Sequence, residues 1–200
     1  MSVARRKSVQ LNVISAADQN MGIGRAEVLP WHIPSEFRYF LDMTSRSRRA
    51  GLRNAVIVGR KTWDTMERVA TRPHPGALNV VLTKGAAGSL GHPDAFACPS
   101  LDLAVELLGG REDIDQAWVI GGTQAYRSAL QSQHFHRLYL SRIEAVFPCD
   151  SFFPGEFNEL SYRRVPDDEI GDDRVPLGQQ TDEQTGIKYQ VCVYERKSLQ

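Results

Sequence analysis

The sequence predicts an α/β fold, one domain on a largely parallel sheet with an antiparallel pair at one edge. Three observations predict it: short apolar, β-branched runs recur along the chain, stretches with helix start and stop signals separate them, and the last two runs follow one another with no helix between. The strand runs are Leu11–Ala17, Ala55–Val58, Leu78–Leu82, Ala117–Ile120, Leu138–Ile143 and Lys188–Tyr194. Strands joined through a helix run parallel, because the crossover returns the chain to the edge it started from. The helix candidates are Ser35–Ser45, Lys61–Arg68, Leu101–Leu108 and Thr123–Gln131, each opening near Ser, Thr or Pro and closing near Gly, Ser or Arg. The polar, turn-rich segment from Pro166 to Gly186 joins the last two strands, which suggests an antiparallel hairpin.

Composition sets the outer bounds. The 200 residues are 42% hydrophobic and 24% charged, which excludes a disordered chain, a collagen and a small disulfide scaffold. Lys plus Arg equals Asp plus Glu at 24 each, so no overall field draws in nucleic acid or an anionic membrane, and no partner of either kind is expected. Cys98, Cys149 and Cys192 are odd in number and form no CxxC pair, as in a reduced, cytoplasmic protein. No run approaches the roughly 18 apolar residues of a membrane span. Residues 1–8, with Arg5, Arg6 and Lys7, read as a flexible basic lead-in, 9–196 as the domain and 197–200 as a tail. The acidic run Asp167, Asp168, Glu169, Asp172 and Asp173 reads as a solvated loop, and His134 and His136 as a strand entrance rather than metal ligands.

Two nucleotide motifs fail. Gly22 and Gly24 begin a G-x-G, but Glu27 stands where the dinucleotide fingerprint needs its third glycine, and Gly59-Arg60-Lys61-Thr62 lacks the earlier glycine of a P-loop. What survives is a pair of strand-to-helix turns. Gly59-Arg60-Lys61-Thr62 follows Val56–Val58, and Gly121-Gly122-Thr123 follows Trp118–Ile120. Both bring free backbone N–H groups, and the first two cations, to the carboxyl edge of the sheet, where a ligand with several phosphates would lie. A third piece is Leu29-Pro30-Trp31-His32-Ile33-Pro34-Ser35-Glu36-Phe37-Arg38-Tyr39-Phe40. Glu36 and Phe40 lie four apart on a helix with Phe37 beside them, so a carboxylate sits against two aromatic faces and suits a planar ring with adjacent N–H donors.

In their order and spacing these pieces resemble the dihydrofolate reductase family, NADPH-dependent enzymes that reduce dihydrofolate to tetrahydrofolate. The resemblance runs from Leu11 to Tyr194 and is carried by Gln19–Gly24, Leu29-Pro30-Trp31, Glu36–Phe40, Gly59–Trp63, Trp118–Gly122 with Tyr126, and Asp150–Pro154. It implies an eight-stranded sheet with four helices. It implies that Glu36 grips the 2-amino group and N3–H of the pterin, supported by the Ser141 hydroxyl, while Trp31 holds a water and Leu29 lies in the loop that closes over the nicotinamide. Ile14, Phe37, Phe40, Met66, Ile120 and Tyr126 would line the substrate site. Ala16, Ile23, Gly24, Gly59, Lys61, Thr62, Leu82, Gly121, Gly122, Thr123, Gln124 and Ala125 would surround the nicotinamide and phosphates of NADPH, with Arg60, Thr83 and Lys84 at the 2′-phosphate. The Gly121–Gly122 peptide is cis in that family. The implied chemistry is hydride transfer from nicotinamide C4 to pterin C6 with protonation at N5, water being the proton donor. Partners would be dihydrofolate and antifolate inhibitors, with the chain a monomer.

The sequence also departs from the family. Ala77 occupies the position of an arginine that clamps the α-carboxylate of the glutamate tail. Either another cation such as Arg72 takes over, or folate binding is weaker, or the substrate is a pterin without that tail. Met66-Glu67 replaces the usual aliphatic residue and proline. The Pro-Trp segment with Glu36 and its two phenylalanines speaks against the riboflavin-pathway reductase, which has a similar fold. A divergent pterin reductase, or a paralogue that binds NADPH or pterin without turnover, is the alternative. No fused thymidylate synthase is expected after the final strand.

Overall fold

A computed structural model describes residues 9–68, 72–84, 88–158 and 160–197. The basic lead-in at 1–8 and the tail beyond 197 lie outside them. In chain order the strands are β1 (Leu11–Ala17), β2 (Gly22–Gly24), β3 (Arg53–Gly59), β4 (Ala77–Leu82), β5 (Gly88–His92), β6 (Ala95–Cys98), β7 (Ile114–Gly121), β8 (Phe135–Ile143), β9 (Ser151–Phe152), β10 (Tyr162–Arg164), β11 (Gln179–Thr181) and β12 (Lys188–Arg196). The helices are α1 (Pro34–Ser45), α2 (Arg60–Thr65, continued by a 3₁₀ turn to Arg68), α3 (Leu101–Gly109) and α4 (Thr123–Gln131).

The main sheet runs β10-β12-β8-β1-β7-β3-β4-β6-β5, with β11 also paired to β12. Its centre is parallel: β1 pairs with β7 and β8, β3 with β4 and β7, and β4 with β6. The expected antiparallel pair is present, Tyr189 facing Ile143 and Tyr194 facing Leu138. The sheet holds ten strands where eight are expected, because β10 and β11, three residues each, both add to β12, and β5 makes the opposite edge antiparallel as well. Strands of three residues show too little alternation to be read from sequence. A separate ribbon pairs β2 with β9.

The central strands are apolar on both faces because both faces are covered. Val13, Ile57, Val119 and Leu138 belong to the core under α3 and α4, whereas their neighbours Ile14, Val56, Trp118 and Tyr139 belong to the core under α1. This alternation is the period of two expected of a strand. The acidic loop needs a correction. Asp172 is buried, not solvated: Arg174 pairs with it at 2.7 Å and also donates to the Arg46 carbonyl at 2.8 Å, so the loop is docked against the end of α1. A buried carboxylate persists only when paired in this way.

Candidate active site

The carboxyl ends of the parallel strands open into a cleft of about 1450 Å³, where open α/β sheets bind ligands. The start of α1 forms one wall. Pro34 supplies the fixed φ that suits the first helical position, and Phe37 N–H donates to the Ile33 carbonyl at 3.0 Å. Glu36 therefore falls in the first turn, where the helix dipole favours its charge. It lines the cleft yet is only 5% exposed. Burial pushes its carboxyl up to about 7, while the neighbouring Ser141 hydroxyl draws it down. Ser141 is fully buried on β8, and its Oγ closes no hydrogen bond within 3.5 Å among the described residues, so it keeps the capacity to donate. Phe37 and Phe40 stack beside Glu36 with ring centroids 5.8 Å apart, and Ile14 and Met66 complete an apolar wall.

The other half of the cleft lies between the two glycine turns. Neither α2 nor α4 has a side-chain cap, so their first-turn N–H groups remain available. The Gly121–Gly122 peptide is cis. A Cβ on Gly122 would stand 2.9 Å from Thr62 Oγ1, so only glycine lets the two turns approach this closely. Ala16, Lys61, Thr62, Leu82, Thr83, Lys84, Gly59, Thr123, Gln124 and Ala125 line this half with Arg60, which is held by Asp64 through two contacts of 2.9 Å. Tyr126 OH is shared between the carbonyls of Ile14 (3.0 Å) and Ile120 (2.9 Å), fixing β1 and β7 where the two halves meet.

The loop carrying Ile23, Gly24 and Leu29 borders both halves. Asp18 organises its start, Oδ1 accepting from Asn20 and Gly22 and Oδ2 from Phe147. Further along, Ala26 N–H donates to Asp150 Oδ2 at 2.8 Å and Asp150 N–H to the Gly24 carbonyl at 3.0 Å. Ala26 and Glu27 adopt positive φ there, a conformation that L residues take only when their surroundings hold it.

Three of the anticipated site residues stand outside the cleft wall. Ser141 and Trp31 lie behind it, Trp31 packed 5.3 Å from Phe147 with its Nε1 unpartnered. Arg72 is drawn away: it pairs with Glu67 at 3.0 Å and lies over the Trp63 ring at 5.8 Å. Sequence reading missed Ser15, Val28, Thr65, His74, Ser100 and Asp102, all of which line the cleft. His74 lies in a Pro-His-Pro-Gly turn that carries no periodicity, so nothing local marks it as part of a site.

A family model described as dihydrofolate reductase matches residues 10–196. The chain is 36% identical over 191 residues to the dihydrofolate reductase of Drosophila melanogaster, covering 95% of this chain and 100% of that protein. It is 38% identical over 195 residues to the dihydrofolate reductase of Bos taurus, covering 94% and 98%. Among solved structures, Schistosoma mansoni dihydrofolate reductase superposes with a TM-score of 0.73 at 29% identity, covering 94% of this chain and 98% of that one. Among the described residues no helix is long and apolar enough to cross a membrane.

Proposed function

The chain belongs to the dihydrofolate reductase family, and from that premise we propose that it reduces 7,8-dihydrofolate to tetrahydrofolate with NADPH. The observation that carries the proposal is Glu36, a carboxyl buried in the wall of a large cleft, flanked by stacked aromatic rings and titrating near neutrality. A buried carboxylate without a cation is costly, and a flat ring offering two adjacent N–H donors relieves that cost. Phe37, Phe40, Ile14 and Met66 hold such a ring and exclude water from its faces.

The cofactor half suits a dinucleotide. The N–H groups after Gly59 and Gly122 would hold its pyrophosphate, and Arg60, Thr83 and Lys84 a 2′-phosphate, which favours NADPH over NADH. When bound, NADPH supplies the hydride. The residues of the chain do the rest. Glu36 grips the amino group and polarises the ring, Ser141 donates to the carboxylate, and Trp31 Nε1 is available to a water that carries the proton toward N5. Tyr126 keeps β1 and β7 in register at the reacting point. Burial holds the Glu36 pKa up to about 7 in the ligand-free protein, and N–H donors from the ring favour the carboxylate that grips them.

The test is the fall in absorbance at ~340 nm when NADPH and dihydrofolate are mixed with the protein, repeated with a tail-less dihydropterin, since nicotinamide oxidation reports hydride transfer directly. Turnover of dihydrofolate is expected. Turnover of the tail-less pterin alone would mean a changed substrate, and NADPH binding without turnover a binding module.

A further inference from the structure

A second pocket, of about 500 Å³, opens at the amino ends of β1, β7 and β8, the opposite edge of the sheet from the cleft. Leu108, Ile114 and Asn12 are its buried members and form the floor. Asn12 is polar yet only 3% exposed, and its Oδ1 accepts from His136 Nδ1 at 3.0 Å. Arg48 and Arg49, just beyond α1, and Arg111, just beyond α3, are exposed and form the rim.

Three arginines in one pocket stand out on a chain whose formal charges sum to zero. Cations commonly follow helix C-termini to offset the dipole. Among the described residues, however, no bond from these guanidinium groups reaches a carbonyl of its own helix end. Arg49 Nε donates to Asp115 Oδ1 at 2.6 Å, Arg111 Nε and Nη2 donate to the two Asp113 oxygens at 2.9 Å each, and Arg48 Nη2 donates to the Gly171 carbonyl at 3.1 Å. Both terminal nitrogens of Arg49, and Nη1 of Arg111, are thus left without a partner among the described residues. The carboxylate on the wall, Asp115, is already satisfied. Its side chain is 6% exposed, and its Oδ2 accepts from the Ser47 hydroxyl and the Arg48 N–H at 2.9 Å each.

We propose that this pocket is a second binding site, for a phosphate monoester, with the Arg49 and Arg111 guanidinium groups gripping the phosphate. A phosphate monoester presents three acceptor oxygens and about two negative charges at neutral pH, so it can take donors from two guanidinium groups at once. A carboxylate has two oxygens, which a single fork fills. The volume lies in the range that holds a small organic ligand, so the esterified group has room over Leu108 and Ile114. The proposal is independent of the reductase reading, because this pocket shares no wall residue with the cleft.

The test titrates phenyl phosphate into the isotope-labelled full chain at constant ionic strength and follows backbone amide chemical shifts. Asn12, Gln116 and His136 report this pocket, whereas Lys61, Thr62 and Gly122 report the cleft, where a phosphate also fits. Saturable shifts at Asn12, Gln116 and His136 are expected, with benzoate binding there at least about tenfold more weakly. Arg49→Gln and Arg111→Gln should each weaken phenyl phosphate at these three residues by about tenfold, and leave the response at Lys61, Thr62 and Gly122 unchanged. Thermal melts establish that both variants fold. Arg111→Gln, whose partner Asp113 is partly exposed, keeps the test decisive if loss of Arg49 from Asp115 unfolds the protein. Shifts confined to the cleft residues, pocket shifts that never saturate, benzoate binding equal to that of phenyl phosphate, or an unchanged dissociation constant in Arg111→Gln would each overturn the assignment.

Discussion

Asp182 Oδ2 accepts the backbone N–H of Ser35 at 2.8 Å, joining the start of α1 to a hairpin 147 residues away in sequence. Ile33 offers no side-chain cap, and Pro34 has no N–H to satisfy, so the first available donor of the helix is met from elsewhere in the fold. Asp182 is itself fixed, its Oδ1 accepting from the backbone of Gln184 and Thr185 and from the Thr185 hydroxyl. Tyr189 OH lies 3.2 Å from Ser35 Oγ in the same corner. The placement of Glu36, one residue on, thus depends on the C-terminal edge of the sheet.

Removing that contact should loosen the helix start. Asp182→Ala is expected to cost about 1 kcal/mol, the usual worth of a helix cap, and to weaken diaminopteridine binding more than NADPH binding. Burial would raise the Asp182 pKa, but its hydrogen bonds from Ser35 and Thr185 hold it well below the usual carboxylate range. A depressed folded pKa means stabilisation that is present above the unfolded value and lost as pH falls through the folded one. Thermal melts of both proteins from pH 7 downward should therefore converge in acid. A gap independent of pH would contradict the assignment.

Glu36 works in the opposite sense. Its folded pKa is raised from 4.5 to about 7, so the stability it contributes is fully present below pH 4.5 and lost as pH rises through 7, amounting to about 3 kcal/mol in the ligand-free protein. The melting temperature of the wild-type protein relative to Glu36→Gln should fall between pH 5 and pH 8, the buried histidines titrating alike in both proteins. The same variant should slow single-turnover reduction at neutral pH by roughly 10²–10⁴-fold. Near-parental rates would remove Glu36 from the mechanism.

Arg60 is expected to set the cofactor preference. Arg60→Ala should narrow the ratio of kcat/KM for NADPH over NADH by roughly tenfold, the scale of one charge-assisted hydrogen bond. Asp64 competes for the same guanidinium, so Asp64→Ala should widen the ratio. Steady-state rates with both cofactors decide the matter, and an equal ratio in all three proteins would exclude a 2′-phosphate contact at Arg60.

At Ala77 the prediction couples affinity to stability. A charge introduced at this buried position would tighten carboxylate-bearing antifolates and leave tail-less diaminopyrimidines nearly unaffected. Because Ala77 packs in the core under α1, Ala77→Arg should also destabilise the free protein by about 1–3 kcal/mol. Inhibition constants and melting curves on one preparation read both effects. A parallel gain for the two ligand classes would contradict it.

The parts of this fold legible from sequence are those in which each residue's neighbours along the chain carry the signal. Thr123–Gln131 and Leu11–Ala17 have the bounds their periodicity predicts, and the two glycine turns follow their strands as expected. Glu36 stood out for the same reason, since the aromatic residues beside it are one and four positions away. Asp172, in a run of acids that reads as solvated, is buried because Arg174 and the end of α1 close over it. Asp182 reads as a turn residue until the sheet carries its hairpin to Ser35. His74 looks like one more loop residue until Thr44, thirty positions earlier, meets its Nε2 at 2.8 Å in the core. Local periodicity and turn chemistry reach only a few residues, whereas burial and ion pairing depend on groups that meet only once the chain has folded.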